Sequence, residues 1–181
     1  MKNKTIYFIG IKGTGMASLA KICKNLGYNV LGSDIERHFF TEDSLRELEI
    51  PILSFSKDNI KDDYIVVMGN AFTDENVEIQ AAKNNPSVQR FSYHEFLGEL
   101  MKSYRTIAVS GSHGKTTTTT LLNNMLSYSQ KAGYLIGDGS GSLHEDDVYF
   151  SVEACEYRRH FLAYKPEIFS KCKGLTYCLW R

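Results

Sequence analysis

Thr106-Ile107-Ala108-Val109-Ser110-Gly111-Ser112-His113-Gly114-Lys115-Thr116-Thr117-Thr118 decides the fold of the second half of this chain. A short apolar run enters a glycine turn, and Leu121-Leu122-Asn123-Asn124-Met125-Leu126 follows as a helix-like run. Strand, glycine loop and helix in that order form a phosphate site. The loop lets backbone N–H groups approach an anion, and the helix N-terminus adds partial positive charge. Lys115 is then placed to meet the outer phosphates of a nucleotide, and Thr116 to offer its hydroxyl to Mg2+. The full pattern G-x-x-x-x-G-K-[ST] fails at its first position, Val109; Gly111 leaves a shorter G-x-x-G-K-T loop. A polar turn capping an ordinary helix would use similar residues. A run of threonines is a poor way to start a helix, so these residues read as hydroxyl donors and metal ligands.

A second glycine loop lies near the start. Lys4-Thr5-Ile6-Tyr7-Phe8-Ile9 reads as a buried strand, and Gly10-Ile11-Lys12-Gly13-Thr14-Gly15-Met16 follows it directly. Residues 17–26 carry apolar side chains at helical spacing, and Gly27 is placed to stop that helix. Asn29-Val30-Leu31-Gly32-Ser33-Asp34 is a short strand ending in a carboxylate. Asp34 lies 21 positions after Gly13, about the distance at which a Rossmann acid meets a ribose hydroxyl. The dinucleotide pattern G-x-G-x-x-G fits Gly13 and Gly15, but its third position is Ser18. The unit reads as a nucleotide site, although such a fold need not bind anything.

The remaining apolar runs extend this α/β alternation. Strands are expected at 51–53, 63–68, 87–92, 132–138 and 148–153, and helices at 41–48, 74–84 and 93–101. Alternation of this kind predicts a parallel, doubly wound sheet. The second glycine loop opens a new unit near Tyr104. The expected domains are therefore 1–103, Rossmann-like, and 104–181, the start of a P-loop α/β domain. Glu153 closes the strand Val148-Tyr149-Phe150-Ser151-Val152-Glu153, where a second Mg2+ ligand is expected after a phosphate loop. A strand-end acid facing solvent would look the same.

Bulk composition excludes several classes. Hydrophobic residues make up 43%, ample for a packed core, and 21 Lys+Arg balance 21 Asp+Glu. No basic arm is present for nucleic acid. The apolar runs are strand-sized, too short to span a membrane, and the N-terminus does not read as a secretory signal. Cys23, Cys155, Cys172 and Cys178 lack C-x-x-C spacing and are expected to be reduced in a cytoplasmic protein. Cys23 reads as core. Cys172 and Cys178 could join His160 at a metal, but no second ligand pair supports such a site.

The two loops together resemble those of the Mur ligase family. The resemblance is carried by residues 8–16, Gly32-Ser33-Asp34, Gly69-Asn70-Ala71, residues 110–118, and Val152-Glu153-Ala154-Cys155-Glu156-Tyr157-Arg158-Arg159-His160-Phe161. It covers residues 1 to about 168 and is nearest to the branch that joins L-alanine to UDP-N-acetylmuramate. It implies that the first loop holds a uridine nucleotide instead of NAD, through Gly13, Thr14, Gly15, Met16, Ser33, Asp34 and Asn70. It further implies that Gly111, Ser112, His113, Gly114, Lys115, Thr116 and Thr117 bind ATP. Thr116 and Glu153 would hold Mg2+, and Lys115 and Glu153 would serve the chemistry.

After Ile168 the resemblance ends. Residues 169–181 do not align with the family's next strand or with its metal-supporting histidine segment. The expectation is a truncated or frameshifted ligase that does not ligate by itself, with an aberrant tail. Its second sheet is expected to be left open, exposing an edge that promotes self-association. Other readings stay open: a non-catalytic UDP-sugar-binding module, or a ligase that attaches a recycled peptide to UDP-N-acetylmuramate. A dehydrogenase built on the first loop is disfavoured by the second.

Overall fold

The computed structural model describes residues 4–111, 113–154, 168–172 and 176–179. The chain forms two compact units, Met1–Tyr93 and His94–Arg181. The expected division at residue 103 falls ten residues later in the chain.

In the first unit, five parallel strands stand in the order β3-β2-β1-β4-β5. They are β1 (Thr5–Ile9), β2 (Asn29–Ser33), β3 (Ile52–Leu53), β4 (Ile65–Met68) and β5 (Gln89–Ser92). Helices α1 (Thr14–Asn25), α2 (Thr41–Glu47) and α3 (Val77–Asn84) connect them. The central strands read as unbroken apolar runs because a parallel sheet is covered on both faces. Ile6, Tyr7, Phe8 and Ile9 of β1 are all fully buried. One side of the core gathers Tyr7, Ile9, Val66, Ile79 and Ala82. Local chemistry sets the helix starts: the Asn76 side chain accepts the N–H groups of Glu78 and Ile79 and caps α3. The strand order reverses between β1 and β4. That switch point leaves a crevice at the strands' carboxyl ends, where open α/β sheets bind ligands.

The second unit holds α4 (Tyr93–Met101, whose first residue belongs to the first unit) and α5 (Lys115–Ser129). Its six strands are β6 (Arg105–Gly111), β7 (Ala132–Leu135), β8 (Gly141–Ser142), β9 (Tyr149–Glu153), β10 (Ile168–Cys172) and β11 (Thr176–Leu179). Their order is β11-β10-β6-β9-β7-β8. The four inner strands are parallel, and both outer pairs are antiparallel.

This sheet corrects one expectation. The tail does not leave β6 open. β10 runs parallel beside it, from Ile168 opposite Ile107 to Cys172 opposite Gly111, and β11 then covers β10. The backbone of β6 is therefore paired on both sides, and the open edges of the sheet are β11 and β8. The two edges of the sheet are short strands, which limits edge pairing.

Candidate nucleotide sites

The first loop turns at the end of β1. Its chain crosses to β2 through the Gly10 and Ile11 N–H groups, which both donate to Ser33 O at 2.8 and 3.1 Å. Gly13 caps α1, and the first-turn N–H groups of that helix point out of its end. Gly13 is exposed, Thr14 and Gly15 are half-buried, and Asn70 lies exposed just beyond β4. Gly69, beside it, donates to Ile9 O at 2.9 Å, which brings Asn70 alongside the glycine loop at the switch point.

Three other sequence-derived site residues face inward. Met16 packs into the core. Ser33 is fully buried and its hydroxyl donates to Glu78. Asp34 is buried, and its two oxygens accept the Lys12 N–H at 2.7 Å and the Ile35 N–H at 2.8 Å. These side chains shape the loop from below.

Sequence reasoning missed Glu78, which is fully buried on α3. Its Oε1 accepts the Tyr7 hydroxyl at 2.8 Å, Asn59 Nδ2 at 2.7 Å and the Ser56 N–H at 3.1 Å; its Oε2 accepts the Ser33 hydroxyl. Four neutral donors thus replace the water this carboxylate gives up. Burial, opposed in part by the Ser33 bond, pushes the Tyr7 phenol well above its usual range. Nothing in the local sequence around Glu78 marks it, because its partners come from β1, β2 and the turn before β4.

The second loop is built between β6 and α5. Gly114 caps α5 in a left-handed conformation, with φ +79°. Lys115 Nζ donates to Gly111 O at 2.6 Å. The Thr116 hydroxyl donates to Glu153 Oε2 at 3.0 Å. Glu153 reaches it because β9 lies beside β6, with Glu153 opposite Val109. His113 and Thr117 are exposed, and Ser112 lies outside the described residues. Not every threonine serves the mouth. Thr119 and Thr120 donate to the carbonyls of Lys115 and Thr116, at 2.9 and 2.8 Å, and so bond their own helix.

Gly137 completes this site and was not singled out from sequence. Its N–H donates to Glu153 Oε2 at 2.9 Å. A Cβ at this position would stand 2.8 Å from Glu153 Oε1. A larger residue here would require the Glu153 carboxylate to shift from its place beside Thr116.

Thr116 and Glu153 are hard oxygen donors at the mouth of a phosphate loop. That donor set fits Mg2+, which takes one or two protein oxygens and completes its shell with phosphate oxygens and water. Among the described residues no group of three or more His, Cys, Asp or Glu side chains could hold a metal. His160 lies outside the described residues, as do the side chains of Cys172 and Cys178. Cys23 is fully buried, and burial pushes its thiol pKa up, as a core residue requires.

The profile described as "Mur ligase family, catalytic domain" matches residues 5–105, more than half of the chain. The chain belongs to the Mur ligase family. The match contains the first loop; the second rests on solved structures that cover 92% of the chain. One is UDP-N-acetylmuramate:L-alanyl-gamma-D-glutamyl-meso-diaminopimelate ligase from Neisseria meningitides, 29% identical with a TM-score of 0.82. A murein peptide ligase from Psychrobacter arcticus is 29% identical with a TM-score of 0.80. UDP-N-acetylmuramate–alanine ligase from Thermotoga maritima is 28% identical with a TM-score of 0.76. This Mur ligase chain spans 59%, 42% and 40% of those three chains, respectively. Among its described residues no helix is long and apolar enough to cross a membrane.

Proposed function

We propose that this chain carries the two nucleotide sites of a cytoplasmic ligase that joins L-alanine to UDP-N-acetylmuramate. The observation that supports this most is the Thr116–Glu153–Gly137 cluster at the mouth of the second glycine loop. In this reading the first unit binds the uridine nucleotide through Gly13, Thr14, Gly15 and Asn70. The second unit binds ATP through Gly111, Ser112, His113, Gly114, Lys115, Thr116 and Thr117.

The muramate carboxylate attacks the γ-phosphorus of ATP and ADP departs, leaving an acyl phosphate. The alanine amine then attacks the acyl carbon and loses a proton, and phosphate leaves as the amide forms. Such a transfer is accelerated by positioning and by cations aimed at the developing phosphoryl charge. Lys115 supplies one cation. Thr116 and Glu153 would hold Mg2+, which neutralises phosphate charge when bound. Gly137 fixes the Glu153 carboxylate for that task.

A second reading has its own support. Two of the solved structures with high TM-scores are peptide ligases by description, so the amine could belong to a recycled peptide. The test is calorimetry with UDP-N-acetylmuramate and with Mg2+·ATP, followed by ADP release with L-alanine or with an L-alanyl-γ-D-glutamyl peptide. Binding of both nucleotides supports two sites. Sugar-nucleotide binding without ATP binding leaves a UDP-sugar-binding module. The amine that stimulates ADP release identifies the acceptor in any chain that turns over.

A further inference from the structure

Lys12 stands in the first glycine loop, where a lysine is expected to reach for a bound phosphate. The structure turns it the other way. Its side chain is only 6% exposed. Its ammonium donates to Ile35 O at 3.0 Å and Arg37 O at 3.1 Å, and it pairs with Glu42 Oε2 at 2.9 Å. Two backbone carbonyls thus accept its N–H groups, and the third contact is an ion pair with a buried carboxylate oxygen that takes no hydrogen bond.

The backbone of Lys12 is tied to the same segment. Its N–H donates to Asp34 Oδ2 at 2.7 Å, and its carbonyl accepts the Thr41 hydroxyl at 2.5 Å. All five links run between one residue of the glycine loop and residues 34–42. Around them, Ile35, Glu36, Arg37 and His38 are exposed, and 34–40 carries no helix or strand. Glu42 is itself held from the far side by Arg46, at 2.6 and 3.0 Å on Oε1.

We propose that Lys12 is a positioning residue that latches segment 35–42 to the glycine loop and so presets one wall of the uridine-nucleotide site. The inference rests on the uridine reading of this loop. The wall is in place before the ligand arrives, which removes an ordering cost from binding. The ammonium itself does not touch the diphosphate.

The test uses the whole chain with Lys12→Met, which keeps an unbranched apolar stem and removes the charge. Without ligand, trypsin cleavage after Arg37 is followed by mass spectrometry. The proposal expects faster cleavage there, with cleavage elsewhere unchanged. The dissociation constant for UDP-N-acetylmuramate is expected to rise about tenfold if the closed wall falls to about a tenth of the population. That for Mg2+·ATP is expected to stay the same.

Unchanged cleavage after Arg37 overturns the latch. Faster cleavage with unchanged sugar-nucleotide affinity overturns the positioning role. A wild-type chain that does not bind UDP-N-acetylmuramate overturns the uridine reading, and the proposal with it. Should Lys12→Met fail to fold, Glu42→Gln weakens the latch from its other end and is read by the same two measurements.

Discussion

The two glycine loops each hold a lysine, and the two lysines are placed differently. Lys12 lies inside its loop, before α1 begins, and is buried against two carbonyls and the Glu42 carboxylate. Lys115 is the first residue of α5 and is half-exposed beside Thr116 at the loop mouth. A lysine at a helix start projects along the line of the first-turn N–H groups, toward an anion held there. A lysine inside the turn is drawn under it by the carbonyls of the next connection. Residue type alone therefore does not make a phosphate ligand; its place relative to the helix start does.

The largest effect that would sharpen this contrast is on chemistry. Lys115→Ala is expected to slow ADP release about 10²–10³-fold in a ligation-competent form, the scale for removing one preorganised charged contact. A near-native rate would remove Lys115 from the site. Next comes the second loop's carboxylate. In Gly137→Ala the new Cβ meets Glu153, and Mn2+ binding with ATP, read by electron paramagnetic resonance, is expected to weaken about 10–100-fold. Unchanged Mn2+ affinity would show that Gly137 does not aim Glu153.

Smaller effects belong to the first unit. Glu78→Leu strands the Tyr7, Ser33 and Asn59 donors without their acceptor and is expected to cost about 1–3 kcal/mol, read from urea unfolding. A neutral result would mean those donors find other partners. The smallest effect is a pH dependence. Arg46 first, then Lys12, holds the Glu42 carboxyl at about 2 instead of its ordinary 4.5. A depressed pKa contributes stability that is full above the ordinary value and is lost as pH falls toward the folded one. The stability gap between wild type and Glu42→Gln is thus expected to be constant above about pH 5 and to shrink between about 4.5 and 2. A gap independent of pH would show that the charge of Glu42 does not support the latch.

Much of the fold was legible because parallel strands are apolar throughout. Residues 5–9, 65–68 and 149–153 announce themselves as runs, and Ala17, Leu19, Ala20 and Cys23 mark the buried face of α1. The loops were legible because glycine spacing is a local property. What stayed hidden depends on partners distant in sequence. Gly137 falls near the end of the strand expected at 132–138, and nothing in that run marks it until Glu153 is seen against it. The bonds of Lys12 and Glu78 come from elements that no periodicity joins. β8 is two residues long, too short to leave a pattern. The strands at 168–172 and 176–179 lie where the family resemblance ends, so pairing with β6 was invisible to motif reasoning.

Calorimetry of Lys115→Ala with each nucleotide in turn tests the division of labour most directly. The account predicts that Mg2+·ATP binding is lost, while UDP-N-acetylmuramate binds with the wild-type dissociation constant. Retained ATP binding, or equal weakening of both ligands, would contradict it.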